Sequence, residues 1–302
     1  MKILNLSLSR SSVDRAAHIR NDETALETTW ESARVIHFNG QGFLTHENSL
    51  RFLDASDIGD IEGEGARVFL GQEEGLNYFL WCSPTHIGAQ EEYKTLREIS
   101  SLLTNLEIGL AVHAQALALW HHENAFCPKC GAISLPALGG SIRRCAQGHE
   151  HYPRTDPAII VLIRDKNDRI LLGRQAVWPE HRFSAFAGFV EAGVSFEQCV
   201  VREVYEEAGV KVSDINYLGS QPWPFPQSLM IAFQATIEDP QNARPDGQEI
   251  TEIRWYDRDE LYAAIIEGTL LLPPSISVAR AMIQSWYGPD RAELPGAETW
   301  RS

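Results

Sequence analysis

The sequence predicts an α+β chain, on three observations. Residues 1–124 mix strand-like apolar runs with one long helical pattern, residues 125–153 hold a compact Cys/His segment, and residues 154–290 alternate apolar strand, loop and helix. A polar tail, 291–302, is expected to be loose.

In the first zone, Arg67-Val68-Phe69-Leu70 and Tyr78-Phe79-Leu80-Trp81 read as strands, and the Ala- and Leu-rich run Ile108–His122 reads as a helix. Its histidines (His18, His37, His46, His86, His113) are scattered and read as surface or satisfied core residues. This zone is expected to be an N-terminal α+β domain that serves dimerisation or substrate shaping. In the third zone, Ala158–Ile163 and Arg169–Leu172 read as buried strands joined by the turn Asp165-Lys166-Asn167-Asp168.

Composition bounds the function. The chain has 302 residues, with 26 Lys+Arg against 41 Asp+Glu, so its formal charge is 26 − 41 = −15. That length suits roughly two domains and needs no disulfide staples. The acidity excludes a nucleic-acid binder that works through a broad basic face. It does not exclude an anionic substrate reached through metal ions. No segment approaches the ~18 continuous apolar residues of a membrane span, and the start lacks the apolar core of a signal peptide. Five cysteines are too few for a secreted disulfide scaffold, so a reducing, cytoplasmic location without membrane contact is expected.

Three of those cysteines fall in a metal-ligand pattern. Cys127-Pro128-Lys129-Cys130-Gly131 is a C-x2-C knuckle, and Cys145 follows with Gly148-His149 close behind. Tetrahedral zinc takes four N/S donors, commonly as two such pairs, so one structural Zn²⁺ per chain is expected on Cys127, Cys130, Cys145 and His149, a zinc ribbon. His151 competes with His149 for the fourth place; Gly148 favours His149, because it supplies the tight turn of a knuckle. A redox C-x-x-C would open a helix, whereas Cys130-Gly131 reads as a turn.

The stretch Gly188–Val210 carries the densest chemistry. Ser195 with Gln198 forms a capping box that starts a helix, and Gly209 fits a left-handed C-terminal stop. Glu203 and Glu207 stand four apart on one face, with Glu206 beside them. Like charges at that spacing destabilise a bare helix by a few tenths of a kcal/mol. A hard divalent cation such as Mg²⁺ or Mn²⁺ would offset that repulsion. The plainer alternative is a solvated charged face with Arg202 pairing Glu206.

This stretch resembles the Nudix box, Gly-x5-Glu-x7-Arg-Glu-apolar-x-Glu-Glu-x-Gly-apolar, through Gly188, Arg202, Glu203, Val204, Glu206, Glu207, Gly209 and Val210. Val194 departs from it, standing where the box has its first glutamate. Downstream, Ser220-Gln221-Pro222-Trp223-Pro224-Phe225-Pro226-Gln227-Ser228 reads as a Pro-stiffened extended segment with two flat aromatic faces, suited to a nucleobase or nicotinamide ring. That array, the ribbon before it and Tyr152-Pro153 together resemble the NADH pyrophosphatase subfamily, and the likeness runs from about Ala125 to Ile283.

The resemblance implies a C-terminal Nudix α/β/α sandwich and hydrolysis of NAD(H) to nicotinamide mononucleotide and AMP, with two or three Mg²⁺ or Mn²⁺ ions. It implies metal ligation by Glu203, Glu207, Glu249 and the carbonyl of Ala187, with Glu206 as ligand or general base and Arg202 in the catalytic set. Glu252 competes with Glu249. It also implies a dinucleotide pocket lined by Gln221, Pro222, Trp223, Pro224, Phe225, Pro226, Gln227 and Ser228, with Tyr152, the Ala279 backbone and Arg97 contributing. A homodimer is implied, and the substrate is free NAD(H) or the NAD cap of an RNA 5′ end. The alternative is a catalytically weakened Nudix domain, marked by Val194, that binds nucleotides as a regulator.

Overall fold

The structure is a computed structural model in which residues 6–59, 65–89, 92–288 and 290–296 are described. The chain divides into two compact units, one of Leu8–Thr155 with Trp223–Gln227, the other of Met1–Ser7, Asp156–Pro222 and Ser228–Ser302.

The first of these begins with α1 (Ala17–Arg20), α2 (Glu23–Trp30), β1 (Arg34–Phe38), β2 (Phe43–His46), β3 (Ser49–Leu50), β4 (Leu53–Asp54) and α3 (Ala55–Gly59). Then come β5 (Ala66–Glu73), β6 (Leu76–Cys82), β7 (Tyr93–Lys94), α4 (Leu96–Ile99) and α5 (Asn105–Glu123). Its strands form one sheet in the order β3-β2-β1-β6-β5, with β4 beside β1 and β7 beside β2. Helix α5 starts three residues before the expected Ile108, because Thr104 and Glu107 close a capping box there. Ile108, Leu110, Ala111, Ala114 and Leu117 of α5 share a core with Ile36, Phe38, Val68 and Leu80 of the sheet.

The same unit carries the ribbon, a three-stranded antiparallel sheet of β8 (Ser134–Ala137), β9 (Ile142–Cys145) and β10 (Glu150–His151) in the order β10-β9-β8. The turn from β8 to β9 uses Gly139 and Gly140 at φ 62° and 84°, conformations that cost glycine little.

The other unit holds β11 (Asp156–Asp165), β12 (Ile170–Gln175), β13 (Phe186–Phe189), α6 (Phe196–Ala208), β14 (Val212–Trp223) and β15 (Ser228–Ile237). It continues with β16 (Ile250–Tyr256), α7 (Arg258–Ile266) and α8 (Val278–Tyr287). The sheet order is β14-β15-β11-β12-β16, with β13 also on β11. Strand β11 runs parallel to β15 over its whole length, from Asp156↔Ser228 to Asp165↔Ile237. Its side chains alternate between two cores, as a strand covered on both faces requires. Ile160 and Leu162 join Leu261, Met282 and Ile283 from α7 and α8, whereas Ile159, Val161 and Ile163 join Cys199, Val200 and Val204 from α6. The chain is thus α+β, and helices cover both faces of this sheet.

Two expectations are corrected. The Pro-rich segment is not extended throughout: β14 ends at Trp223, residues 224–227 form the turn, and β15 begins at Ser228. Proline has no N–H for the ladder, so pairing stops where Pro224 and Pro226 fall. The tail is not loose throughout: it is anchored at Leu294, with its other described residues exposed. Leu294 is buried, its N–H donates to Gln284 Oε1 (2.8 Å), and its carbonyl accepts from Arg280. Residues 297–302 lie outside the described residues.

Candidate functional site

Helix α6 is placed by its ends. Ser195 Oγ accepts from Gln198 N–H (3.2 Å), Gln198 Oε1 accepts from Ser195 N–H (3.1 Å), and Gly209 closes the helix at φ 69°. Cys199, Val200, Val204 and Ala208 bury one face against the sheet. Glu203 and Glu207 sit at the margin of that face, at 9% and 4% exposure. Carboxylates are rarely that buried without partners.

Each is held at one oxygen. Arg202 Nη2 donates to Glu203 Oε1 (2.6 Å) and to the Phe189 carbonyl (2.9 Å), while Nη1 donates to the half-exposed Glu206 (2.7 Å). Glu207 accepts the backbone N–H of Ala187 in β13, and its Oε2 is buried with no partner. Burial, then the charges of Glu249, Glu203 and Asp246, push the Glu207 carboxyl up to about 9. Burial likewise raises Glu203, against the pull of Arg202.

Glu249 lies just before β16, its backbone N–H donating to Asp246 Oδ2 (3.1 Å) and its Oε1 accepting from Gln175 Nε2 (2.8 Å). Its competitor Glu252 is instead paired with Arg254 (2.6 Å). Arg202, Glu203, Glu206, Glu207, Ala187 and Glu249 therefore gather in one unit. A buried carboxylate oxygen without a donor, facing further carboxylates, fits a hard divalent cation, which takes oxygen ligands.

Val194 is partly buried against the apolar core beneath α6, where the box has glutamate. Arg202 keeps its acceptors Glu203, Glu206, the Phe189 carbonyl and Cys199 Sγ regardless, although its Nε is buried without a partner. Gln175 and Asp246, both behind Glu249, were not reached from the sequence. The Asp246-Gly247 pair carries a turn signal, whereas Gln175 carries none.

In the ribbon, the ligand atoms of Cys127, Cys130, Cys145 and His149 lie within 4.8 Å of one another. Cys130 Sγ and Cys145 Sγ are 3.8 Å apart, as are Cys127 Sγ and His149 Nδ1. Bonds of about 2.3 Å to a tetrahedral zinc imply sulfur–sulfur edges of about 3.8 Å. Gly131 (φ 72°) and Gly148 (φ 78°) donate back to the carbonyls of Cys127 and Cys145, both at 2.9 Å, and so tighten the two knuckles. His151 lies outside the set: its Nε2 is 3.0 Å from Ser134 Oγ and its ring packs edge-on against Trp120. Among the described residues this is the one such tight Cys/His/Asp/Glu set.

The remaining candidates divide. Within the N-terminal unit, Trp223 and Phe225 meet edge to face at 5.0 Å, and the Arg97 guanidinium lies 4.0 Å from the Phe225 ring centre and 5.2 Å from that of Trp223. Gln115 Nε2 donates to the Pro224 carbonyl (2.6 Å), and Phe225 and Pro226 line a cavity of about 300 Å³ there. Tyr152 is exposed and donates to Glu150 (3.2 Å). In the other unit, Gln221 is buried and donates to the Ile276 carbonyl (2.9 Å), and Ala279 N–H donates to Ser277 Oγ (3.2 Å) at the start of α8. No helix among the described residues is long and apolar enough to cross a membrane.

A family model described as NUDIX domain matches residues 154–272. The chain is 40% identical over 295 residues to a Mycobacterium bovis (strain BCG / Pasteur 1173P2) protein named NAD-capped RNA hydrolase NudC, covering 92% of this chain and 94% of that one. It is 38% identical to a Chromobacterium violaceum protein of the same name over 220 residues, 72% of this chain and 78% of that one. A Schizosaccharomyces pombe protein named NAD-capped RNA hydrolase is 34% identical over 207 residues, 61% of this chain and 55% of that one. With the Nudix box on α6 and a Cys/His ribbon ahead of it, the chain belongs to the Nudix superfamily, in the subfamily of these relatives, and is a Nudix hydrolase.

Proposed function

We propose that this enzyme hydrolyses the pyrophosphate bond of NAD(H), giving nicotinamide mononucleotide and AMP, and cleaves the same bond in NAD-capped RNA, releasing nicotinamide mononucleotide and leaving a 5′-monophosphate end. The observation that carries the reading is Glu207, a buried carboxylate with one unpartnered oxygen beside Glu203 and Glu249. Divalent ions held there would supply charge neutralisation at the phosphate oxygens and a more acidic water. Glu203, Glu207, Glu249 and the Ala187 carbonyl are the proposed ligands, and Mg²⁺ or Mn²⁺ the ions. The chain's own part is to keep those oxygens oriented: the Ala187 N–H holds Glu207, and Arg202 holds Glu203. Glu206 is half-exposed and paired only through Arg202, which leaves it free to take a proton from water. The choice of substrate rests on the relatives, named for NAD-capped RNA at 40% identity across the chain.

The experiment is to incubate the zinc-loaded protein with Mn²⁺ or Mg²⁺ and, in parallel, NADH, NAD, ADP-ribose and NAD-capped RNA. AMP or a 5′-monophosphate RNA end is expected with NADH and capped RNA. Absence of both products with either ion would sink the reading.

A further inference from the structure

Three carboxylates of this site each have one oxygen tied to a donor of the chain. For Glu203 the donor is a guanidinium, for Glu207 a backbone N–H, and for Glu249 the side-chain amide of Gln175 at 2.8 Å. The first two carboxylates are also set by their place at the buried margin of α6. Glu249 is exposed, so packing does not choose its rotamer. Its backbone is pinned by the Asp246 carboxylate, which accepts from the N–H groups of Gln248, Glu249 and Ile250. The side-chain torsions beyond are restrained by Gln175.

Gln175 reaches it because the ladder slips there. Strand β12 pairs Arg174 with Glu252 but Gln175 with Ile250, so one residue of β16 is left over. Such a bulge re-aims the side chain beside it. Gln175 also lines, with Glu207, a cavity of about 100 Å³. The donor is neutral. An arginine or lysine in its place would cancel the charge that a cation needs, whereas an amide orients Glu249 and leaves it fully anionic.

We propose that Gln175 is a positioning residue for Glu249: it holds one oxygen so that the second is aimed for a divalent cation. This rests on the reading of Glu249 as a metal ligand. The test is Mn²⁺ binding to the full zinc-loaded chain without substrate, followed by loss of the free Mn²⁺ electron-paramagnetic-resonance signal. Gln175→Leu should weaken binding about tenfold, the scale seen when a donor behind a metal ligand is removed. Gln175→Asn, one methylene too short, should do the same with an unchanged melting temperature. Glu249→Gln should weaken binding at least as much, and the double variant Gln175→Leu/Glu249→Gln no further, because Gln175 acts only through Glu249. In turnover, KM for Mn²⁺ should rise about tenfold with a much smaller change in kcat. Wild-type affinity in Gln175→Leu, or additive losses in the double variant, would overturn the assignment. A wild-type chain that binds no Mn²⁺ at all would instead overturn the metal-dependent reading beneath it.

Discussion

Gly188 lies so close to Glu203 that a Cβ would overlap the glutamate carboxylate. Gly188 sits on β13 opposite Ile159, where the strand crosses beneath α6. Replacement by alanine therefore displaces the carboxylate rather than the fold, since the far end of Glu203 can swing aside. Gly188→Ala is expected to lose more than ~10-fold in activity, the cost of disturbing the support of a proposed metal ligand. Its melting temperature should move by only a few degrees, about 1 kcal/mol for a domain of this size. Kinetics and a thermal melt on the same preparation check both halves.

Glu207→Gln removes the charge that the proposed cation needs and keeps the shape and the contact to Ala187. Turnover should fall by more than ~100-fold, beyond the loss caused by outlying donors. Far-UV circular dichroism should be unchanged. A rate within a few-fold of wild type would remove Glu207 from the ligand set.

Glu207 also predicts a pH dependence of stability. Its carboxyl, raised to about 9 in the folded chain by burial and by its acidic neighbours, sits above its unfolded value of about 4.3. Between those values the folded state binds the extra proton, so stability falls as pH rises. With zinc retained and no other divalent ion, the melting temperature should decline from about pH 5 towards pH 9. Glu207→Gln should flatten that decline, and Mn²⁺ should suppress it. A wild-type profile that stays flat without Mn²⁺ would contradict the burial argument.

In the ribbon, buried Arg143 donates to Nδ1 of His121 (3.1 Å), whose Nε2 donates to the Gly140 carbonyl (2.7 Å). Both imidazole nitrogens are thereby committed in the neutral ring, and burial lowers the pKa of His121 to about 4. His121→Ala should leave Arg143 short of an acceptor and destabilise the chain by about 1–3 kcal/mol in urea unfolding. His121 should stay neutral from pH 5 to 8 in an NMR titration.

Elemental analysis should find one zinc per chain, lost in Cys145→Ser with a lower melting temperature. The same zinc content in His149→Ala, with loss in His151→Ala, would reverse the assignment of the fourth ligand.

Some of this was legible from residue order alone, because the chemistry is local. A C-x2-C knuckle, a Ser195–Gln198 capping box, a Gly209 stop and glutamates four apart each depend on neighbours within a turn or two. So the start and end of α6, the face it presents and the ribbon's ligand spacing follow from the sequence. The Pro-rich segment turns at residues 224–227 although its prolines predict an extended run, because stiffness does not fix direction and strand pairing on each side does.

What only the tertiary structure decided is which distant residues share a wall. Glu249 approaches Glu207 because β16 pairs with β12, and Gln175 reaches Glu249 through the slip in that pairing. Gly188 leaves room for the Glu203 carboxylate because β13 passes under it. His149 joins the three cysteines and His151 turns to Ser134, although they stand two residues apart. Such choices depend on register and burial, which are set by contacts remote along the chain. The acidic excess could be counted from composition, but only folding sets Glu203 and Glu207 at a buried margin within reach of Glu249, where burial and like charge raise both carboxyls.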